Sequence, residues 1–168
     1  EAAAVTLFGL QLERVIVGVG DVLALMSPNL PEYAIVFHGT AYAGAVVTTI
    51  NPTYTAGEVR KQLLDSGASI LVTVPPFLDT AREAIEGTGV TDIFVFGEAD
   101  GVASVTDLLG APLTAQVPRS TNDVVVLPYS SGTTGLSKGV MLTHRNLIAN
   151  IAQVTTAAQI RSDERFIA

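Results

Sequence analysis

Apolar residues in this chain fall into short clusters that alternate between two periods. Asp21-Val22-Leu23-Ala24-Leu25-Met26, Ala45 to Ile50, Ser69 to Val74, Asp92 to Phe96 and Val124 to Leu127 are runs of four to six residues, rich in Val, Ile and Leu. Runs of that length bounded by Gly, Pro, Asn or Asp read as strands, and their near-continuous apolar character reads as burial on both faces. Between them lie segments with helical spacing. Ala2 to Glu13 carries Val5, Leu7 and Leu10 on its apolar side, and Pro31 suits the first turn of a helix running to about Ala43, which Gly44 ends. Thr55-Ala56-Gly57-Glu58 has the spacing of a capping box, opening a helix through Ser66 that Gly67 closes. Phe77 to Glu86 is helical in pattern, and Ser104-Val105-Thr106-Asp107 opens a short helix ending near Gly110. Ala111 to Asn122 is a proline-bearing connector. Thr143 or His144 starts a last helix reaching about Thr156, with Leu147, Ile148, Ile151 and Val154 along one face.

Strands alternating with helices predict an α/β fold: a layered, mostly parallel sheet with helices on both faces. No internal repeat or low-complexity segment interrupts the pattern. Gly18-Val19-Gly20 has the look of a dinucleotide fingerprint but precedes its strand, and Leu23 stands where the third glycine belongs, so it reads as a turn.

One polar stretch carries chemistry. Tyr129-Ser130-Ser131-Gly132-Thr133-Thr134-Gly135-Leu136-Ser137-Lys138-Gly139 lies between the apolar runs Val124–Leu127 and Val140-Met141-Leu142, which predicts strand, loop, strand. Gly132, Gly135 and Gly139 let backbone N–H groups close on an anion. Ser130, Ser131, Thr133 and Thr134 add hydroxyl donors, and Lys138 adds a compact positive charge. The composition is that of a phosphate holder; the plain alternative is a solvated connector. Walker A is excluded, because counting from Gly132 puts Ser137 at the second glycine position and Gly139 after the lysine.

Bulk properties narrow the classes. The 168 residues carry a net charge of −7, which disfavours a nucleic-acid surface, and the absence of cysteine excludes disulfides and thiol catalysis. Only 15% of residues are charged and mean hydropathy is +0.45, high for a small domain standing alone. No clean apolar run of about 18 residues marks a membrane span. The expectation is therefore a piece of a larger protein whose remainder covers apolar faces. A start at Glu1 and an end at Arg165-Phe166-Ile167-Ala168 agree with that.

The polar stretch resembles the signature loop of the adenylate-forming (AMP-binding) superfamily: acyl-CoA synthetases, 4-coumarate–CoA ligases, luciferases and peptide-synthetase adenylation domains. The usual form is Ser/Thr-Ser-Gly-Ser/Thr-Thr-Gly-x-Pro-Lys-Gly. Ser137 departs from it, standing where proline is usual and loosening φ there. The resemblance runs through nearly the whole chain: Gly20 to Leu25 with Pro28-Asn29, Gly44 to Val47 with Asn51-Pro52, Tyr54-Thr55 with Glu58, Gln62-Leu63, Asp65-Ser66, and Gly139 to Asn146. The last four are similar to the 4-coumarate–CoA ligase and luciferase branch in particular.

The resemblance implies that residues 1–168 are part of an N-terminal AMP-binding domain, with the phosphate-binding loop at 130–139 and the rest of the enzyme elsewhere. It implies a carboxylic acid attacking the α-phosphate of ATP to give an acyl-adenylate, then transfer of the acyl group to coenzyme A. ATP, Mg²⁺ and coenzyme A are the implied cofactors, and phenylpropanoid or fatty acid metabolism in the cytoplasm the implied setting. By the same resemblance Ser130, Ser131, Gly132, Thr133, Thr134, Gly135 and Lys138 bind ATP. Lys138, Thr133 and Thr134 are the implied catalytic residues, and no metal ligand is assigned. The family's metal-binding glutamate, ribose-binding Asp and C-terminal catalytic Lys are expected beyond Ala168, so the chain alone is expected to be inactive. Other readings are a carrier-protein-loading adenylation domain, a luciferase-like enzyme, or a nucleotide-binding module without catalysis. Among further polar residues, His144 reads as a helix-start histidine supporting the loop, His38 as structural, and Glu58 as a cap.

Overall fold

A computed structural model describes residues 17–108, 115–131 and 137–159. The predicted helix over Ala2–Glu13 lies outside them, as does the end of the short helix near Gly110.

The apolar runs pair as read. β1 (Val22–Met26) lies between β2 (Val46–Ile50) and β3 (Ile70–Thr73), parallel to both. β4 (Asp92–Val95) and the two-residue β5 (Ala103–Ser104) extend one side in parallel, and β6 (Val124–Val126) pairs in parallel with β2 on the other. After a second, two-stranded sheet formed by β7 (Tyr129–Ser131) and β8 (Ser137–Gly139), β9 (Leu142–Thr143) returns antiparallel to β6. The main sheet thus has seven strands in the order β5-β4-β3-β1-β2-β6-β9.

Strand alternation divides the core between the two faces. Leu23 and Leu25 of β1 pack in one apolar cluster with Val36 of α1 (Pro31–Tyr42). Ala24 and Met26 point the other way, into a cluster with Val59 and Leu63 of α2 (Ala56–Ser66) and Ala81 and Ala84 of α3 (Leu78–Ile85). Helices therefore cover both faces, as the pattern predicted. The chain then passes from β9 into α4 (His144–Ala157).

Helix ends follow local chemistry. Thr55 and Glu58 form the capping box, and Gly67 closes α2 at φ 68°, a left-handed conformation that suits glycine. Thr143 caps α4 in the same reciprocal way with Asn146. The last carbonyls of α3 are satisfied from outside: Arg60 of α2 donates to the carbonyls of Glu83 and Ala84. We predict that Thr55→Ala, which removes one half of the α2 cap, costs about 1 kcal/mol in urea denaturation at neutral pH.

One expectation is refined and one needs correction. The short helix after Ser104 begins as a 3₁₀ helix over Val105–Leu108, the last described residues before 115. Val140-Met141-Leu142 is not a buried strand: only Leu142 enters the sheet, and Met141 is 71% exposed. The cause is pairing geometry. The chain leaves β8 with Val140 N–H bonded to the Pro128 carbonyl, so the first two apolar residues span the gap between the hairpin and the main sheet.

Candidate functional site

The polar stretch that reads as a loop is, at its base, a β-hairpin. β7 and β8 pair antiparallel in the register Tyr129↔Gly139, Ser130↔Lys138 and Ser131↔Ser137. Residues directly opposite in such a pair share a face, and successive pairs alternate faces. Ser130 and Lys138 are therefore neighbours on one face, and both are exposed. Tyr129 and Gly139 occupy the other, with Ser137 beside them. Lys138 makes no ion pair among the described residues. An ammonium and a hydroxyl side by side, open to solvent and free of an internal carboxylate, can hold an anionic oxygen.

Of the residues assigned to ATP by resemblance, the structure brings Ser130 and Lys138 together and places Ser131 at the end of β7. Gly132, Thr133, Thr134 and Gly135 lie outside the described residues. Ser137, the departure from the usual proline, sits on β8; its hydroxyl is buried and has no hydrogen-bond partner among the described residues.

The opposite face is an anchor. The Tyr129 ring lies across Gly139, where a Cβ would meet Cζ at 3.1 Å and the phenolic oxygen at 3.2 Å, so a side chain at 139 would displace the ring. The Tyr129 hydroxyl donates to Asp65 Oδ2 of α2 at 2.5 Å. A second tie holds the chain just before β7. Buried Gln62 of α2 donates to Thr48 Oγ1 (2.9 Å) and to the Thr49 carbonyl (3.0 Å), and Thr48 Oγ1 in turn donates to the Leu127 carbonyl at 2.8 Å. Helix α2 thus grips the hairpin at its base and on its inner face. Neither tie was legible in the sequence, because Asp65 and Tyr129 are 64 residues apart and nothing in either stretch announces the other.

Burial first, and then the Asp65 carboxylate, hold the Tyr129 phenol well above its ordinary range. The hydroxyl therefore remains a donor through neutral and mildly alkaline solution. A raised phenol pKa is a stability statement with a definite sign. The contribution is complete below the unfolded value of about 10 and falls away as pH rises above it, because the unfolded chain then releases a proton that the folded chain keeps. Tyr33, whose pKa is also raised by burial, acts in the same direction. We predict that above about pH 10 Tyr129→Phe loses stability with pH less steeply than the parent, the Tyr33 share being common to both. Parallel denaturation midpoints against pH would contradict it.

The remaining polar candidates stand apart from chemistry. Glu58 is spent in the α2 cap, accepting from Thr55 N–H and Oγ1 at 2.8 Å each. His38 is exposed on α1 with its ring edge-on to Phe37. His144 is the first residue of α4, half-buried, with its backbone N–H bonded to the Asp123 carbonyl. Among the described residues no three His, Asp or Glu side chains are grouped to hold a metal ion, and no helix is long and apolar enough to cross a membrane.

The profile of the family described as AMP-binding enzyme matches residues 2–168. The chain is 46% identical over 143 residues to "4-coumarate--CoA ligase 3" of Oryza sativa subsp. japonica, covering 84% of this chain and 26% of that protein. Its fold superposes on a long-chain-fatty-acid–CoA ligase from Archaeoglobus fulgidus with a TM-score of 0.85 at 31% identity, over 94% of this chain and 32% of that one. An anthranilate–CoA ligase solved with anthranoyl-AMP gives a TM-score of 0.79 at 25% identity, over 90% of this chain and 30% of that one. The chain spans about a quarter of the length of the curated relatives it matches. With its family profile matched almost from end to end and its hairpin carrying the signature residues, the chain belongs to the AMP-binding enzyme family.

Proposed function

We propose that the protein is an acid–CoA ligase of the 4-coumarate–CoA ligase type, and that residues 1–168 are part of its N-terminal AMP-binding domain. A carboxylate attacks the α-phosphate of Mg-ATP, forming an acyl-adenylate and releasing pyrophosphate. The thiol of coenzyme A then takes the acyl group and AMP departs. The observation that carries this reading is the register of the hairpin, which sets Lys138 directly opposite Ser130 on its open face. A paired ammonium and hydroxyl suit the β- and γ-phosphates, where negative charge grows as the bond to the α-phosphate breaks. In this reading Ser131, Gly132, Thr133, Thr134 and Gly135 complete the cradle around the same anion, with Thr133 and Thr134 donating their hydroxyls. The role of this segment is to position and to stabilise charge.

Two relatives support the reaction class: the rice protein is named a 4-coumarate–CoA ligase, and the anthranilate–CoA ligase holds an acyl-adenylate. The exposed side chains of Ile148, Ile151 and Val154 on α4 suit coverage by further chain of the same enzyme. The cytoplasm, which supplies ATP and coenzyme A, is the compartment that fits.

The test uses the complete protein with hydroxycinnamic, benzoic and fatty acids in turn. At least one acid is expected to drive exchange of labelled pyrophosphate into ATP and to give a CoA thioester on adding coenzyme A. Exchange without thioester would favour a carrier-protein acceptor. No exchange with any acid would contradict the reading.

A further inference from the structure

Lys138 stands on a short, solvent-exposed hairpin of a kind that is marginal in water on its own. Two three-residue strands rich in Ser, Gly and Lys have little intrinsic tendency to hold a fixed angle to the sheet beneath them. What holds the angle lies on the inner face. Gly139 leaves room for the Tyr129 ring to cross the hairpin, and the ring's hydroxyl reaches Asp65 of α2 at 2.5 Å. That contact bridges a cleft of about 450 Å³ lined by Tyr54, Lys61, Gln62, Asp65, Tyr129 and Ser137. The backbone ties at Leu127 hold the hairpin's entry. The phenol–carboxylate contact is the one side-chain bond described between the hairpin strands and α2 across this cleft.

We propose that Tyr129 and Asp65 are positioning residues: their hydrogen bond is a strut that fixes the hairpin against α2 and so sets Lys138 where pyrophosphate departs. This rests on the adenylation reading above. The strut acts through Lys138 and does not touch the nucleotide. Its loss therefore lowers the rate of adenylation more than it weakens the binding of ATP, because a displaced ammonium costs most where charge is developing.

The chemistry of Asp65 separates this from a merely structural role. Asp65 is exposed and lies in the last turn of α2, where a negative charge opposes the helix dipole. Setting aside its bond to Tyr129, which is worth about 1 kcal/mol, Asp65→Ala is neutral or slightly favourable, since alanine is the better helix former. As a strut residue its removal harms function. Asp65→Asn keeps a carbonyl oxygen that can accept from the phenol, so it is the conservative rescue.

The experiment measures acid-dependent ATP–pyrophosphate exchange in the complete protein, together with amide hydrogen exchange over residues 129–131 and 137–139. Tyr129→Phe and Asp65→Ala are each expected to lower kcat for exchange about tenfold, with KM for ATP changed by less than about threefold. The double variant should be no slower than the worse single one, and Asp65→Asn should keep most of the parent rate. Both single variants should lose amide protection in the hairpin while their melting temperatures stay close to the parent's. A Tyr129→Phe kcat within twofold of the parent, or a double variant slowed by the product of the two single effects, would overturn the proposal. A parent without exchange overturns the function reading alone. The strut is then decided by hydrogen exchange, loss of protection in Tyr129→Phe supporting it and unchanged protection refuting it.

Discussion

Lys138→Ala in the complete protein should slow ATP–pyrophosphate exchange by about 10²–10³-fold, the usual result of removing one preorganised donor from a site of developing negative charge. The same substitution should leave folding almost untouched. Lys138 is exposed and makes no ion pair among the described residues, and surface changes of that kind fall within about 0.5 kcal/mol. The separation between the two effects is the informative quantity. A lysine that merely solubilised a hairpin would lose neither rate nor stability, and one that held the hairpin together would lose both. Lys138→Arg should fall between parent and alanine: the charge survives, but a planar guanidinium spreads it over a wider fork than a compact ammonium. Exchange rates for Lys138→Ala equal to the parent's would remove the residue from the chemistry.

A second large effect is expected in the core. Leu25 is fully buried near the end of β1, the strand from which the sheet extends in both directions, with Thr49 and Val72 as its neighbours in register. Its side chain belongs to the cluster that also holds Val36, Val47 and Val72. Leu25→Ala removes that volume where the flanking strands have little freedom to collapse, and it should cost about 2–5 kcal/mol. Set against a total stability of about 5–15 kcal/mol, this is enough to lower the urea midpoint sharply or to unfold the protein outright. An alanine variant with an unchanged midpoint would mean that the β1 core is not the one described.

What the sequence revealed and what it hid divide along a physical line. β1, β2 and β3 were legible because parallel strands buried on both sides leave a dense aliphatic signature, as in Val22-Leu23-Ala24-Leu25-Met26. The start of α2 was legible because its cap is local: Thr55 and Glu58 are three residues apart and bond to each other. The family was legible in the run from Ser130 to Gly139, where hydroxyls, glycines and a lysine recur in a fixed order. The hairpin was not. Tyr129 apart, its strands are built from Ser, Lys and Gly, which have low strand propensity, and their pairing leans on tertiary contacts. Val140 and Met141 misled for the converse reason: they are apolar, yet they are exposed in the crossing from the hairpin to β9. Least visible were the ties from Asp65 to Tyr129 and from Gln62 through Thr48 to Leu127, since long-range hydrogen bonds leave no mark in a single sequence.

The most direct measurement is a crystal structure of the complete protein with a non-hydrolysable ATP analogue. It should show terminal phosphate oxygens within about 3 Å of Lys138 Nζ and of the Ser130 hydroxyl, on the hairpin face turned away from Tyr129. A triphosphate bound elsewhere, with Lys138 pointing to solvent or paired with a protein carboxylate, would contradict the account.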